Sequence, residues 1–143
     1  MQVKEVMTEQ METLHPQASI TEAAKTMQKL NVGVMPVRKD SKAVGLLTDR
    51  DIVTRVIAED KQPGATSVND VMTKELACCS PDDDLEQATN QMREKQLRRL
   101  IVCDAKDNAI GILSLGDIAA KTGDDELAGA ALEDISEPAQ PKR

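Results

Sequence analysis

Two stretches decide how this chain reads: "AVGLLTDRDIV" at residues 43–53 and "AIGILSLGDIA" at residues 109–119. Each is a short apolar run, then a hydroxyl residue (Thr48 or Ser114), two variable residues, an aspartate (Asp51 or Asp117) and a second apolar run. The first run has strand length and branched side chains, and the second restarts at helical spacing. A hydroxyl at the strand end caps the helix that follows. An acid three residues on completes the cap and suits the positive end of the helix dipole. The same geometry also serves a ligand. Free backbone N–H groups at a helix start donate to phosphate, and a carboxylate one turn in accepts ribose hydroxyls. Gly45 and Gly111 remove side chains where a flat ring approaches the backbone. Capping alone accounts for one such junction; it does not explain why both keep Gly, hydroxyl and Asp in register.

The echo extends outward. "VKEVMT" at Val3 recurs as "VNDVMT" at Val68, a shift of 65, and Pro16, Ala23, Met27 and Val37 meet Pro81, Ala88, Met92 and Val102. One inserted residue then makes the shift 66, pairing Gly45, Leu47, Asp51 and Ile52 with Gly111, Leu113, Asp117 and Ile118. Each copy reads as β-α-β-β-α. Short extended pieces stop at Pro16 and Pro81, and helices start at caps Ser19/Glu22 and Asp84/Gln87. Hairpins "VGVMPVR…AVGLLT" and "LRRLIVC…AIGILS" follow, then the helices after the junctions. The expected division is 1–59 for the first repeat, 60–67 for a linker marked by Pro63 and Gly64, and 68–122 for the second repeat. Residues 123–143 read as an acidic tail or one short docked helix, with Leu127, Ala131 and Ile135 on a stripe that Pro138 ends.

Composition excludes several functions. There is no Phe, Tyr or Trp, so an RNA-binding sheet with stacking aromatics is ruled out, and any flat ligand must lie between aliphatic side chains. A net charge of −7 argues against a nucleic-acid partner. No run approaches a membrane span and "MQVKEVMTEQ" lacks a signal-peptide centre, so no membrane partner and a cytoplasmic location are expected. Cys78, Cys79 and Cys103 have no zinc-like spacing and read as small hydrophobes.

With "VGLLTDRDI" and "IGILSLGDI" matching a Gly-apolar-apolar-Thr/Ser-x-x-Asp pattern, and "HPQASITEAAKTM" preceding "VGVMPV", residues 3 to 122 resemble a tandem pair of CBS domains, named for cystathionine β-synthase. The resemblance implies an α+β fold of two β-α-β-β-α repeats packed with pseudo-twofold symmetry. It also implies a regulatory module rather than an enzyme, with clefts for AMP, ADP, ATP or S-adenosylmethionine. Carried onto this chain, Asp51 and Asp117 would bind ribose hydroxyls, and Thr48 and Ser114 ribose or phosphate. Met35 and Pro36 of "VGVMPV" and Ile101 of "RRLIVC" would hold adenine, and Cys78 and Cys79 would lie near one cleft.

Arg98 and Arg99 open a strand beside the second junction, where the first copy has Gly33 and Val34. They read either as phosphate partners or as a solvated strand edge, and Arg50 beside Asp51 is a further phosphate candidate. His15, the lone histidine, has no partner constellation for metal or nucleophile. Ile52, Val53, Val56 and Ile57 form a stripe wider than packing on one sheet needs, which leads us to expect a homodimer. The preferred reading is a stand-alone sensor that signals to a regulated protein in trans. The alternative is an interaction module whose clefts hold no physiological ligand.

Overall fold

The computed structural model describes residues 1–9 and 12–136. The chain runs α1 (Ile20–Leu30), β1 (Val34–Lys39), β2 (Lys42–Thr48), α2 (Asp49–Ile52), α3 (Val68–Val71), β3 (Cys78–Cys79), α4 (Leu85–Lys95), β4 (Arg99–Cys103), β5 (Ala109–Ser114), α5 (Leu115–Thr122) and α6 (Asp125–Ser136). It is a mixed α+β chain built from two repeats. It divides into two compact units: Met11–Leu76 with Asp107–Ala109, holding the first junction, and Met1–Gln10 with Ala77–Lys106 and Ile110–Arg143, holding the second.

In the junction-1 unit, α1 starts where Ser19 Oγ accepts the Glu22 N–H at 3.1 Å, and it ends at Asn31 in the left-handed region (φ 55°). Its Ile20, Ala23 and Met27 recur at helical spacing and are buried. β1 and β2 form an antiparallel hairpin, Val34 opposite Thr48, with a bulge between Val37 and Arg38. Asp40, with φ 58°, makes the turn. After α2 the helix widens into a π-helical stretch over Val53–Ile57, its Ala58 N–H reaching back to the Val53 carbonyl at 2.9 Å. Sequence periodicity suggested one regular helix here. The segment expected as a linker is tied down, since the Thr66 carbonyl accepts the Ile20 N–H at 2.9 Å.

The junction-2 unit repeats this plan. α4 buries Leu85, Ala88 and Met92 and ends at Gln96, again left-handed (φ 54°). The expected Asp84 side-chain cap is not formed; the first α4 N–H, that of Leu85, donates to the Met1 carbonyl at 2.9 Å. β4 lies between β3 and β5, with Cys78 beside Ile101 and Cys79 beside Val102 in parallel pairing. α6 is a docked helix. It buries Ala128, Ala131 and Ile135 in this core, half-buries Leu127, and is held where Arg93 Nε donates to Asp134 Oδ2 at 2.6 Å. Pro138, expected to end it, lies outside the described residues.

The leading segments are exchanged between copies. "VKEVMT" packs with the second repeat: Val3 and Val6 are buried there, and Thr8 and Ile112 exchange both backbone bonds at 2.9 Å. "VNDVMT" packs with the first: Thr73 and Leu46 do the same at 2.8 and 2.9 Å, and Val68 and Val71 are buried.

Candidate functional site

At each junction the hydroxyl and the acid cap one another. Asp51 N–H donates to Thr48 Oγ1 and Thr48 N–H to Asp51 Oδ2, both at 3.0 Å. The second junction matches, with Asp117 N–H to Ser114 Oγ at 3.0 Å and Ser114 N–H to Asp117 Oδ2 at 3.2 Å. Both are reciprocal capping boxes.

The exchanged segments complete each carboxylate. Thr73 Oγ1 donates to Asp51 at 3.3 Å, and Thr8 Oγ1 to Asp117 at 3.1 Å. A cation stands one turn on: Arg55 Nε lies 3.9 Å from Asp51, and Lys121 Nζ lies 3.4 Å from Asp117. The same cations tether the exchanged segments, Arg55 donating to the Val71 carbonyl at 2.9 Å and Lys121 to the Val6 carbonyl at 3.1 Å. Thr8, Thr73 and Lys121 were not singled out from sequence, and Arg55 was read only as flanking Asp51. Their signal was present: the threonines end the "VMT" echo, and the cations sit four residues after each aspartate.

The junction glycines have a nearer reason than a ring. A Cβ on Gly45 would meet Met72 Sδ at 2.5 Å and the Thr73 carbonyl at 3.0 Å. One on Gly111 would meet the Thr8 carbonyl at 2.8 Å. What approaches the glycine backbone is the chain's own exchanged segment.

The two junctions diverge at their pockets. In the junction-2 unit, Arg98, Arg99, Ser114, Leu115, Gly116 and Ala119 line a pocket of about 360 Å³. The strand, the cap and the first turn of α5 thus bring three of the expected residues together. In the junction-1 unit, a pocket of about 490 Å³ takes Gly33 in place of Arg98 and Asp49 in place of Leu115, and its lining includes Ala24, Met27, Ile52 and Val53. Among the described residues no arginine or lysine lines it.

Other expected residues fall elsewhere. Arg50 is exposed in the first turn of α2 and lines neither of these pockets. Met35, Pro36 and Ile101 are buried, Met35 inside the junction-1 core, and they line neither pocket. Of the dimer stripe, Val56 is buried and Ile52 half-buried, which leaves Val53 and Ile57 outward.

Cys78 is exposed and Cys79 buried, both free. Burial, with Asp83 and Cys78 nearby, pushes the Cys79 thiol up to about 12, so it carries no thiolate near neutral pH. Among the described residues no group of His, Cys, Asp and Glu is placed to hold a metal ion, and no helix is long and apolar enough to cross a membrane.

A profile of the CBS domain family matches residues 3–58 and 68–122. The chain is 42% identical over 134 residues to the CBS domain-containing protein YhcV of Bacillus subtilis, covering 94% of both chains. Its fold superposes on a conserved CBS domain protein of unknown function from Thermoplasma acidophilum with a TM-score of 0.81 and 26% identity, over 99% of this chain and 78% of that one. It also superposes on the CBS domain pair of protein MJ0100, determined in complex with 5′-methylthioadenosine and S-adenosyl-L-methionine, with a TM-score of 0.75 and 26% identity, over 86% of this chain and 96% of that one.

Proposed function

The chain belongs to the CBS domain family, and from that premise we propose that it is a regulatory module whose second junction binds a phosphate-bearing adenosine ligand such as AMP, ADP or ATP. One observation carries the reading: Arg98, Arg99, Ser114 and the bare backbone of Gly116 meet on one pocket at the start of α5. Guanidinium groups pair with phosphate oxygens in a planar, two-point geometry. Asp117 lies beside that pocket, more exposed than Asp51, and offers oxygen to ribose hydroxyls at the cost of its Thr8 bond. The aliphatic composition leaves adenine to be gripped by apolar side chains rather than stacked.

A second reading belongs to the first junction. Its pocket carries Asp49 and, among the described residues, no cation, which suits an uncharged or cationic adenosyl ligand such as S-adenosylmethionine. Support comes from the CBS pair of MJ0100, whose bound molecules are both adenosyl compounds without phosphate. Ligand binding regulates a partner in trans only through a difference in affinity between two states of the module.

The test is calorimetry with AMP, ATP and S-adenosylmethionine. Replacing Arg98 and Arg99 by Ala removes charge-assisted bonds of about 1.5–3 kcal/mol each, so AMP and ATP affinity falls at least tenfold while S-adenosylmethionine is unaffected. No heat and no thermal shift with any of the three leaves the chain an interaction module without a nucleotide. With no Trp or Tyr to absorb near 280 nm, nucleotide retained through purification shows directly as a 260 nm band.

A further inference from the structure

The aspartate of each junction is also a fastener. Thr8 and Thr73 pair backbone to backbone with Ile112 and Leu46, and their hydroxyls donate to Asp117 and Asp51. Each threonine stands shortly before a crossover, for the chain leaves one unit for the other after Gln10 and again after Leu76. A carboxylate that takes ribose therefore also ties down the stretch of chain that leads out of its own unit.

At Asp117 the acceptor sites can be counted. An ionised carboxylate offers about four. Oδ2 accepts the Ser114 N–H at 3.2 Å. The Thr8 hydroxyl straddles the pair, 3.1 Å from Oδ1 and 3.3 Å from Oδ2. Lys121 Nζ stands 3.4 Å from Oδ1. A ribose diol needs two sites, so one partner must yield. The Ser114 N–H is fixed in the helix cap, and Lys121 brings a full charge and a second hold on the Val6 carbonyl at 3.1 Å. Thr8 is neutral and exposed and engages both oxygens, so it yields at least cost.

We propose, resting on the ribose role given to Asp117 above, that the Thr8 hydroxyl is an internal competitor for the ribose diol. Ligand taken up by Asp117 displaces that hydroxyl and loosens the Thr8–Ile112 pair, so occupancy of the site is passed to the segment leading out of the unit. Val3 and Val6 stay buried and Lys121 keeps the Val6 carbonyl, so the front of the leader holds while its end is freed. Thr8 is thus a positioning residue that sets ribose affinity. The first junction repeats the wiring, with Thr73 Oγ1 3.3 Å from both oxygens of Asp51.

The test compares AMP with dideoxyadenosine monophosphate, which keeps base and phosphate and lacks the diol. Calorimetry reads binding, and residue-resolved amide exchange by NMR reads the Thr8 and Ile112 N–H groups. Saturating AMP is expected to speed both amides roughly tenfold, and the dideoxy nucleotide to leave them unchanged. Thr8→Val, at an exposed position, is expected to raise AMP affinity roughly tenfold and to leave dideoxy-nucleotide affinity at the parent value; Thr8→Ser restores parent affinity. AMP that binds without speeding these amides, or a dideoxy nucleotide that speeds them equally, overturns the competitor and leaves the ligand reading standing. So does AMP affinity that is unchanged or falls in Thr8→Val, as for a threonine that only holds the fold. No heat from AMP with the parent or with Thr8→Val removes the ligand reading, and the competitor with it.

Discussion

The two junctions are alike where the chain holds itself together and unlike in the pockets beside them. Each has a reciprocal cap, a threonine from the other copy's leader, a cation one turn on and a glycine under the exchanged segment. They differ in what surrounds the cap: two arginines and a docked helix at the second, an aspartate and an uncovered groove at the first. The repeated signature is therefore first a folding device. On the proposed function, ligand preference resides in the positions that break the repeat, Gly33/Arg98 and Asp49/Leu115.

The sharpest way to break this comparison is to remove the cover. A chain stopped at Gly123 loses the burial of Ala128, Ala131 and Ile135, a destabilisation of about 3–5 kcal/mol, set mainly by the isoleucine. Thermal unfolding followed by circular dichroism reads it, and an unchanged melt would make α6 peripheral and the asymmetry of the units illusory.

Next come the glycines. Gly111→Ala pushes a Cβ against the Thr8 carbonyl, whereas at Gly45 the nearest atom is the mobile Met72 sulfur. Both substitutions cost about 1–3 kcal/mol in urea denaturation, Gly111→Ala the more. The reverse order would show that the Thr73 carbonyl, not the methionine, limits the first site. Asp51→Ala and Asp117→Ala each lose a cap worth about 1 kcal/mol, Asp51 the more because its carboxylate is the more buried. Equal losses would mean burial does not separate the two caps.

The smallest effect is chemical. Iodoacetamide at pH 8 should alkylate Cys78 and spare Cys79, whose raised ionisation keeps it a buried thiol. The sign follows for stability: the stabilisation tied to the neutral Cys79 thiol is complete below about pH 9 and is lost as pH rises towards about 12. Mass spectrometry of the folded protein reads the first effect. A Cys79→Ala chain, titrated beside the parent above pH 9, isolates the second.

Much of this was legible in the sequence. The 65- and 66-residue shifts gave both hairpins, both junction caps and the Ser19 cap, because local spacing determines local hydrogen bonds. The exchange of leaders was not legible: "VKEVMT" and "VNDVMT" are so alike that composition does not say which repeat each joins. Asp84 resembles a cap, yet a backbone carbonyl from residue 1 takes the α4 N–H, a tertiary contact that overrides a local preference. At the candidate site, Arg98 and Arg99 drew notice because they stand out against Gly33 and Val34, and Ser114 because it repeats Thr48; all three line one pocket. Asp49 stands out equally against Leu115, but it reads as one more acid at a helix start.

The exchanged leader has a consequence for the order of events on the ribosome. Lys121 and the Val6 carbonyl that it binds are 115 positions apart. At a synthesis rate of about 5–20 residues per second, the Val6 carbonyl waits roughly 6–23 s before Lys121 exists. The stretch from Met11 to Leu76 contains most of its own unit and closes early. The other unit cannot close until the end of the chain returns to its beginning, so its nascent apolar leader is a natural early client for a chaperone.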